Sequence, residues 1–143
     1  MDIDQLQFKP LKIPRLIPKE LIENVKDRSF TVEQFLMYQE CQVNNPHNFL
    51  FAVTDENLKI RGYLWAESNL LDGALFVNTF SIDKEYWSKG HSIDKAIEFV
   101  DALSKQLQSP KVFWISTNEK FFKKKGFSRS KNVLMEYNRP KEL

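Results

Sequence analysis

Apolar and polar positions along this chain follow two periods, and the switches between them mark out its elements. Asn48–Thr54 reads NFLFAVT and Lys59–Ser68 reads KIRGYLWAES. Both runs are rich in aromatic and β-branched residues that suit strands, and the polar turn Asp55-Glu56-Asn57 joins them as an antiparallel hairpin. A second turn near Asp72-Gly73 leads into a third strand, ALFVNTFSI, Ala74–Ile82. The period then changes. Ile93, Ile97, Val100, Leu103 and Leu107 recur at helical spacing, which predicts a helix from about Ser92 to Leu107 with a stripe that packs on the sheet.

The flanks fill in the order. Pro10 and Pro14 allow only a short edge strand near Leu6–Ile13. Pro18 suits the first turn of a helix, PKELIENVKDR, whose Leu21, Ile22 and Val25 lie on one face. Thr31 and Gln34 have the spacing of a capping box, so a second helix covers Thr31–Val43. Phe35, Leu36 and Tyr38 crowd that helix and predict that much of it is buried. After Ser109-Pro110, KVFWIST (Lys111–Thr117) is a strand reached by a crossover helix, so it should run parallel to Ala74–Ile82. NEKFFKKK is a short helix closed by Gly126, and Ser130–Tyr137 is a last strand. The expectation is one α/β domain over residues 1–143, with a mixed, mostly antiparallel sheet of about six strands and helices on both faces.

Composition narrows the classes. The 42% hydrophobic content and 12 Phe in 143 residues indicate a globular chain with an aromatic core or cleft. The net charge of +2 does not call for nucleic acid. Charge is uneven, however: Ser109–Leu143 holds nine Lys and Arg against three Asp and Glu, which can steer anions. Cys41 is the one cysteine, read as a buried, inert thiol, so neither an internal disulfide nor a zinc cluster is expected. No apolar run approaches the ~20 residues of a membrane helix, and MDIDQLQF lacks a signal-peptide core. These features point to a cytoplasmic protein with no membrane partner and no metal. The strand–loop–helix stretch from Ala74 to Leu107 gathers free N–H groups and a positive dipole end at DKEYWSKG, where phosphates bind.

Three stretches in this order resemble the GNAT acetyltransferase superfamily. NPHNFLFAVTDENLKIRGYLWA is similar to the family's hairpin, with Gly62 at its glycine. FSIDKEYWSKGHSIDKAIEFV is similar to its strand, pyrophosphate loop and helix. NEKFFKKKGF is similar to its later helix, with Asn118, Gly126 and Phe127 in register. The resemblance implies the acyl-CoA N-acyltransferase fold and a direct transfer from acetyl-CoA, as cosubstrate, to a primary amine on a small molecule or a protein. It also implies a gap between two splayed parallel strands in which pantetheine lies. The cofactor-binding residues it implies are Phe80, Ser81, Ile82, Trp87, Ser88, Lys89, Gly90, His91, Ser92, Asn118, Phe122 and Lys125. Nucleic acid is not expected as a partner, and a homodimer is left open.

The chain departs from the family's pattern at several slots. Trp87, Gly90 and Ser92 occupy the loop pattern, so only the middle glycine is kept. Asp94, in the first helical turn, opposes a pyrophosphate, with Lys89 as an offset. The pair Phe121-Phe122 stands where a tyrosine acid is frequent, and the slot of the frequent glutamate base falls near Phe76. Glu67, Asn78, Ser81 and Tyr86 are the remaining candidates for proton transfer. The alternative is a catalytically inactive protein of this fold with a binding or structural role.

Overall fold

In the computed structural model, the described residues are 5–25, 30–69, 71, 73–89, 92–116, 119–131, 135, 137–138 and 140, the side chains of 88–89 excepted. Among them the sheet has five strands in sequence order: β1 (Gln7–Pro10), β2 (Asn48–Thr54), β3 (Ile60–Asn69), β4 (Ala74–Ile82) and β5 (Lys111–Trp114). The first four pair antiparallel, and β5 joins β4 in parallel after the crossover. The helices are α1 (Lys19–Glu23), α2 (Val32–Gln42), α3 (Ser92–Gln106) and α4 (Glu119–Lys124), with 3₁₀ turns at Pro14–Leu16 and Lys84–Lys89. The expected sixth strand at Ser130–Tyr137 falls partly outside the described residues, and those that are described form no strand. The stretch read as a loop, Asp83–Gly90, is mostly a 3₁₀ turn.

Strand alternation sends side chains to two cores. Leu64 and Ala66 of β3 and Leu75 and Val77 of β4 meet Ala96, Val100 and Leu103 of α3. Tyr63 and Leu50 meet Leu21 and Ile22 of α1 and Phe35 and Leu36 of α2 on the opposite face. Small residues set the closest approach of α3: Ala96 and Ser104 are buried, whereas Leu107 is exposed, so the contact stripe sits to one side of the one expected.

The start of α2 follows its sequence signature. Thr31 Oγ1 accepts from Gln34 N at 3.1 Å, and Gln34 Oε1 accepts from Thr31 N at 2.8 Å. The helix is less buried than its crowded apolar residues predict. Its inner face is Phe35, Leu36 and Gln39, while Met37, Tyr38 and Cys41 are exposed. A helix resting on one sheet face buries one stripe, and residues one or two positions away rotate out of it.

Candidate active site

The parallel ladder between β4 and β5 is short. Ala74 to Val77 pair with Lys111 to Trp114, and the last contact is Ile115 N donating to Val77 O at 3.1 Å. Among the described residues β4 continues through Ile82 against β3 alone, and there its other edge has no strand partner beyond Val77. A bulge sits at this point. Ala66 pairs with Val77 and its neighbour Trp65 with Thr79, which leaves Asn78 as the extra residue on β4. A bulge bends its strand and reverses the parity of the residues beyond it. Leu75 and Val77 face α3 before it, and Phe80 faces the same core after it.

A carboxylate is held on β3, one strand away from this edge. Glu67 stands opposite Phe76 on β4. Its Oε1 accepts from Asn78 Nδ2 at 2.7 Å, and its Oε2 accepts from the Tyr38 hydroxyl at 2.8 Å. Burial and the adjacent Glu67 push the Tyr38 hydroxyl up to about 12, so it keeps its proton at neutral pH. His47 Nδ1 lies 3.1 Å from Ser68 Oγ on the same rim, and a hollow of about 470 Å³ is lined by His47, Glu67, Ser68, Phe76 and Asn78 among others. The slot near Phe76, which has no carboxylate of its own, therefore faces one on the neighbouring strand. Tyr38 escapes a linear reading because its partner is 29 residues away. Glu67 is the single acid on β3, and that is the available signal that a donor must lie nearby.

Two other candidates for proton transfer occupy packed positions. Ser81 Oγ donates to Leu21 O at 2.6 Å and is buried. Tyr86 is 1% exposed among Leu6, Val53 and Ile82, and burial pushes its phenol up. Neither touches the Glu67 cluster.

The connection from β4 to α3 is fixed by Arg61. Its guanidinium meets Asp55 at 2.8 Å, Asp83 at 3.4 Å and Glu85 at 3.7 Å, while its carbonyl accepts from Asp83 N at 2.7 Å. Trp87 is half exposed and donates its indole N–H to Ile82 O at 2.9 Å, with Lys84 5.9 Å from its ring. Gly90, His91 and Asn118 lie outside the described residues, as do the side chains of Ser88 and Lys89. Ser92 is buried at the start of α3. Asp94 in that first turn pairs with Lys125 at 2.6 Å, while the side chain of Lys89, read as the offset to its charge, lies outside the described residues. Phe122 packs against Trp114 at 5.3 Å and Phe127 at 5.2 Å, which commits its ring to β5 and the end of α4. Among the described residues, no cluster of His, Cys, Asp and Glu is suited to a metal, and no helix is long and apolar enough to cross a membrane.

This architecture is the acyl-CoA N-acyltransferase fold. A possible acetyltransferase from Clostridium difficile 630 superposes with a TM-score of 0.73 at 9% identity, covering 96% of this chain and 99% of that one. A spermidine N-acetyltransferase variant from Vibrio cholerae gives 0.72 at 15% identity, covering 94% and 86%. Glucosamine-6-phosphate N-acetyltransferase from Arabidopsis thaliana gives 0.67 at 19% identity, covering 92% and 97%. No protein-family model and no curated protein matches the sequence. At these identities the likeness is one of fold.

Proposed function

We propose that this chain is an N-acetyltransferase that moves an acetyl group from acetyl-coenzyme A directly to a primary amine on a small molecule or a protein. The observation that carries this reading is the tie between Glu67 and Asn78, which sets a carboxylate where β4 parts from β5. The edge of β4 beyond Val77, unpaired among the described residues, fits an extended pantetheine arm as an added strand. The start of α3 suits a pyrophosphate, with the charge of Asp94 offset by Lys125. In that arrangement β4 backbone aligns the thioester, and Glu67 receives, directly or through water, the proton the amine sheds as the new C–N bond replaces C–S. Coenzyme A leaves as the thiol, protonated from solvent, because Phe122 has no proton to give. Alignment supplies much of the rate in such a transfer. A cytoplasmic setting, with its reduced thiols, suits the lone exposed Cys41.

A second reading keeps the fold for a binding or structural role, and the packed, hydroxyl-free Phe122 favours it. Calorimetric titration with acetyl-CoA, followed by thiol-release assays over a panel of primary amines, separates the two. The first reading expects binding, turnover of at least one amine, and a fall in kcat of ~10²–10⁴-fold in Glu67→Gln with acetyl-CoA affinity unchanged. Absence of binding at about millimolar ligand, the weak end of useful affinity, defeats it. Binding without turnover of any amine supports the second.

A further inference from the structure

We propose that a cavity away from the Glu67 cluster is a second ligand site, suited to a small aromatic carboxylate. The cavity, of about 880 Å³, lies between the β1–β2 edge, the end of α2 and the second half of α3. It shares no lining residue with the hollow around Glu67. It exists because β1 pairs with β2 only from Phe51 onward, so the first residues of β2 run past the end of their neighbour.

One wall is aromatic. Phe8 stacks on Phe99 at 4.6 Å, Phe99 meets Phe51 edge-on at 4.8 Å, and Phe49 lies parallel to Phe51 at 6.5 Å. Phe8, Phe49 and Phe99 remain partly exposed, so a flat ring laid against them completes burial that the fold leaves unfinished.

Another wall includes Gln39, whose amide donor is unmet among the described residues. Trp65 Nε1 can only donate, and it does so to Asn48 Oδ1 at 2.8 Å. That fixes the Asn48 amide, whose Nδ2 donates to Gln39 Oε1 at 3.0 Å. The orientation of Gln39 is fixed in turn, because a flip sets two NH₂ groups against each other. Gln39 is 1% exposed, and among the described residues its Nε2 has no acceptor. A ligand oxygen would supply one. Among the described residues Lys12 is the one ionisable side chain lining the cavity and no carboxylate lines it, so the oxygen that fits carries negative charge.

The probe is 3-phenylpropionate, compared with its neutral amide and with phenethylamine, followed by amide chemical shifts of the full chain. The carboxylate should give saturable shifts localised to Gln39, Phe99 and Leu103 by about 10 mM, consistent with the millimolar affinity of so small a ligand. The neutral amide should bind about threefold more weakly and phenethylamine not at all. Lys12→Met should weaken the carboxylate about threefold and leave the neutral amide unchanged. Gln39→Met should weaken both about fivefold. Ala102→Trp, an exposed α3 position that fills the cavity without touching the core, should abolish binding and serves if the Gln39 variant does not fold. No saturable shift in the unaltered protein overturns the proposal. Equal binding of phenethylamine, or binding that survives Ala102→Trp, does so as well.

Discussion

At Gly62 β3 leaves no room for a side chain against β4, and Gly62→Ala puts a number on that approach. A Cβ there would lie 2.5 Å from Ser81 O, 3.1 Å from Ile82 Cα and 3.3 Å from Ile82 Cγ1. The first contact is with backbone, so no rotamer relieves it. Restoring ordinary contact requires the strands to part by roughly 0.5–0.9 Å, against a normal spacing of ~4.8 Å. Overpacking of this kind costs ~1–3 kcal/mol. A 2.5 Å backbone contact puts the cost in the upper half of that range, ~2–3 kcal/mol, and the ~0.4–1 kcal/mol that alanine returns by restricting the unfolded chain leaves a net loss of ~1–2.6 kcal/mol. For a chain of this size that lowers Tm by about 3–8 °C. The checks are calorimetric melting and urea denaturation, with a lower midpoint and an unchanged m-value expected. Because the parting falls on Ser81 and Ile82, acetyl-CoA affinity should also drop in the proposed transferase. A Tm unchanged within about 1 °C would refute the strain argument and mean that the sheet absorbs the methyl group freely.

Ser81→Ala removes the buried hydroxyl that satisfies Leu21 O. It should cost ~1–2 kcal/mol, read as a lower denaturation midpoint with no change in acetyl-CoA affinity beyond that of the fold. Asp55 is held below its ordinary 3.8 chiefly by its hydrogen bond to Arg61, with Lys59 and Asn57 amides assisting. A depressed folded pKa stabilises the protein above pH 3.8, and this is lost as pH falls through that value towards the folded one. Melting curves from pH 7 downward should therefore show a steeper acid decline in the unaltered protein than in Asp55→Asn, whose Tm should be lower at pH 7. Asp94→Asn removes the one acid described in the first turn of α3 and should tighten acetyl-CoA binding about two- to fivefold, measured by calorimetry.

Much of the fold is legible because the sequence signals are local. β2 and β4 begin and end at the residues expected, since turns bracket them and their side chains suit a pleated surface. The capping box at Thr31 and Gln34 forms as its spacing predicts, because both partners lie within one turn. The parallel placement of β5 comes from the length of its crossover. What escapes is non-local. The bulge at Asn78 is a property of the β3–β4 register, and nothing within ALFVNTFSI announces an extra residue. Without it, Ser81 and Phe80 cannot be assigned to their faces, and Ser81 reads as a candidate for chemistry when it is bonded to α1. The exposure of Tyr38 and Cys41 depends on which stripe of α2 the sheet covers. The pairing of Asp94 with Lys125 joins the start of α3 to the turn just past α4, which the sequence places far apart.

The brevity of the β4–β5 ladder has a consequence for motion. Four residue pairs hold β5 to the sheet, whereas β3 and β4 pair along nearly their whole lengths. A seam this short, closed only after a helix-long detour of the chain, forms late during folding and opens before the β3–β4 ladder in the native state. Amide hydrogens of Phe113 and Ile115 therefore exchange with solvent far sooner than those of Tyr63 and Leu64. The segment that β5 begins breathes while the β3–β4 ladder stays closed.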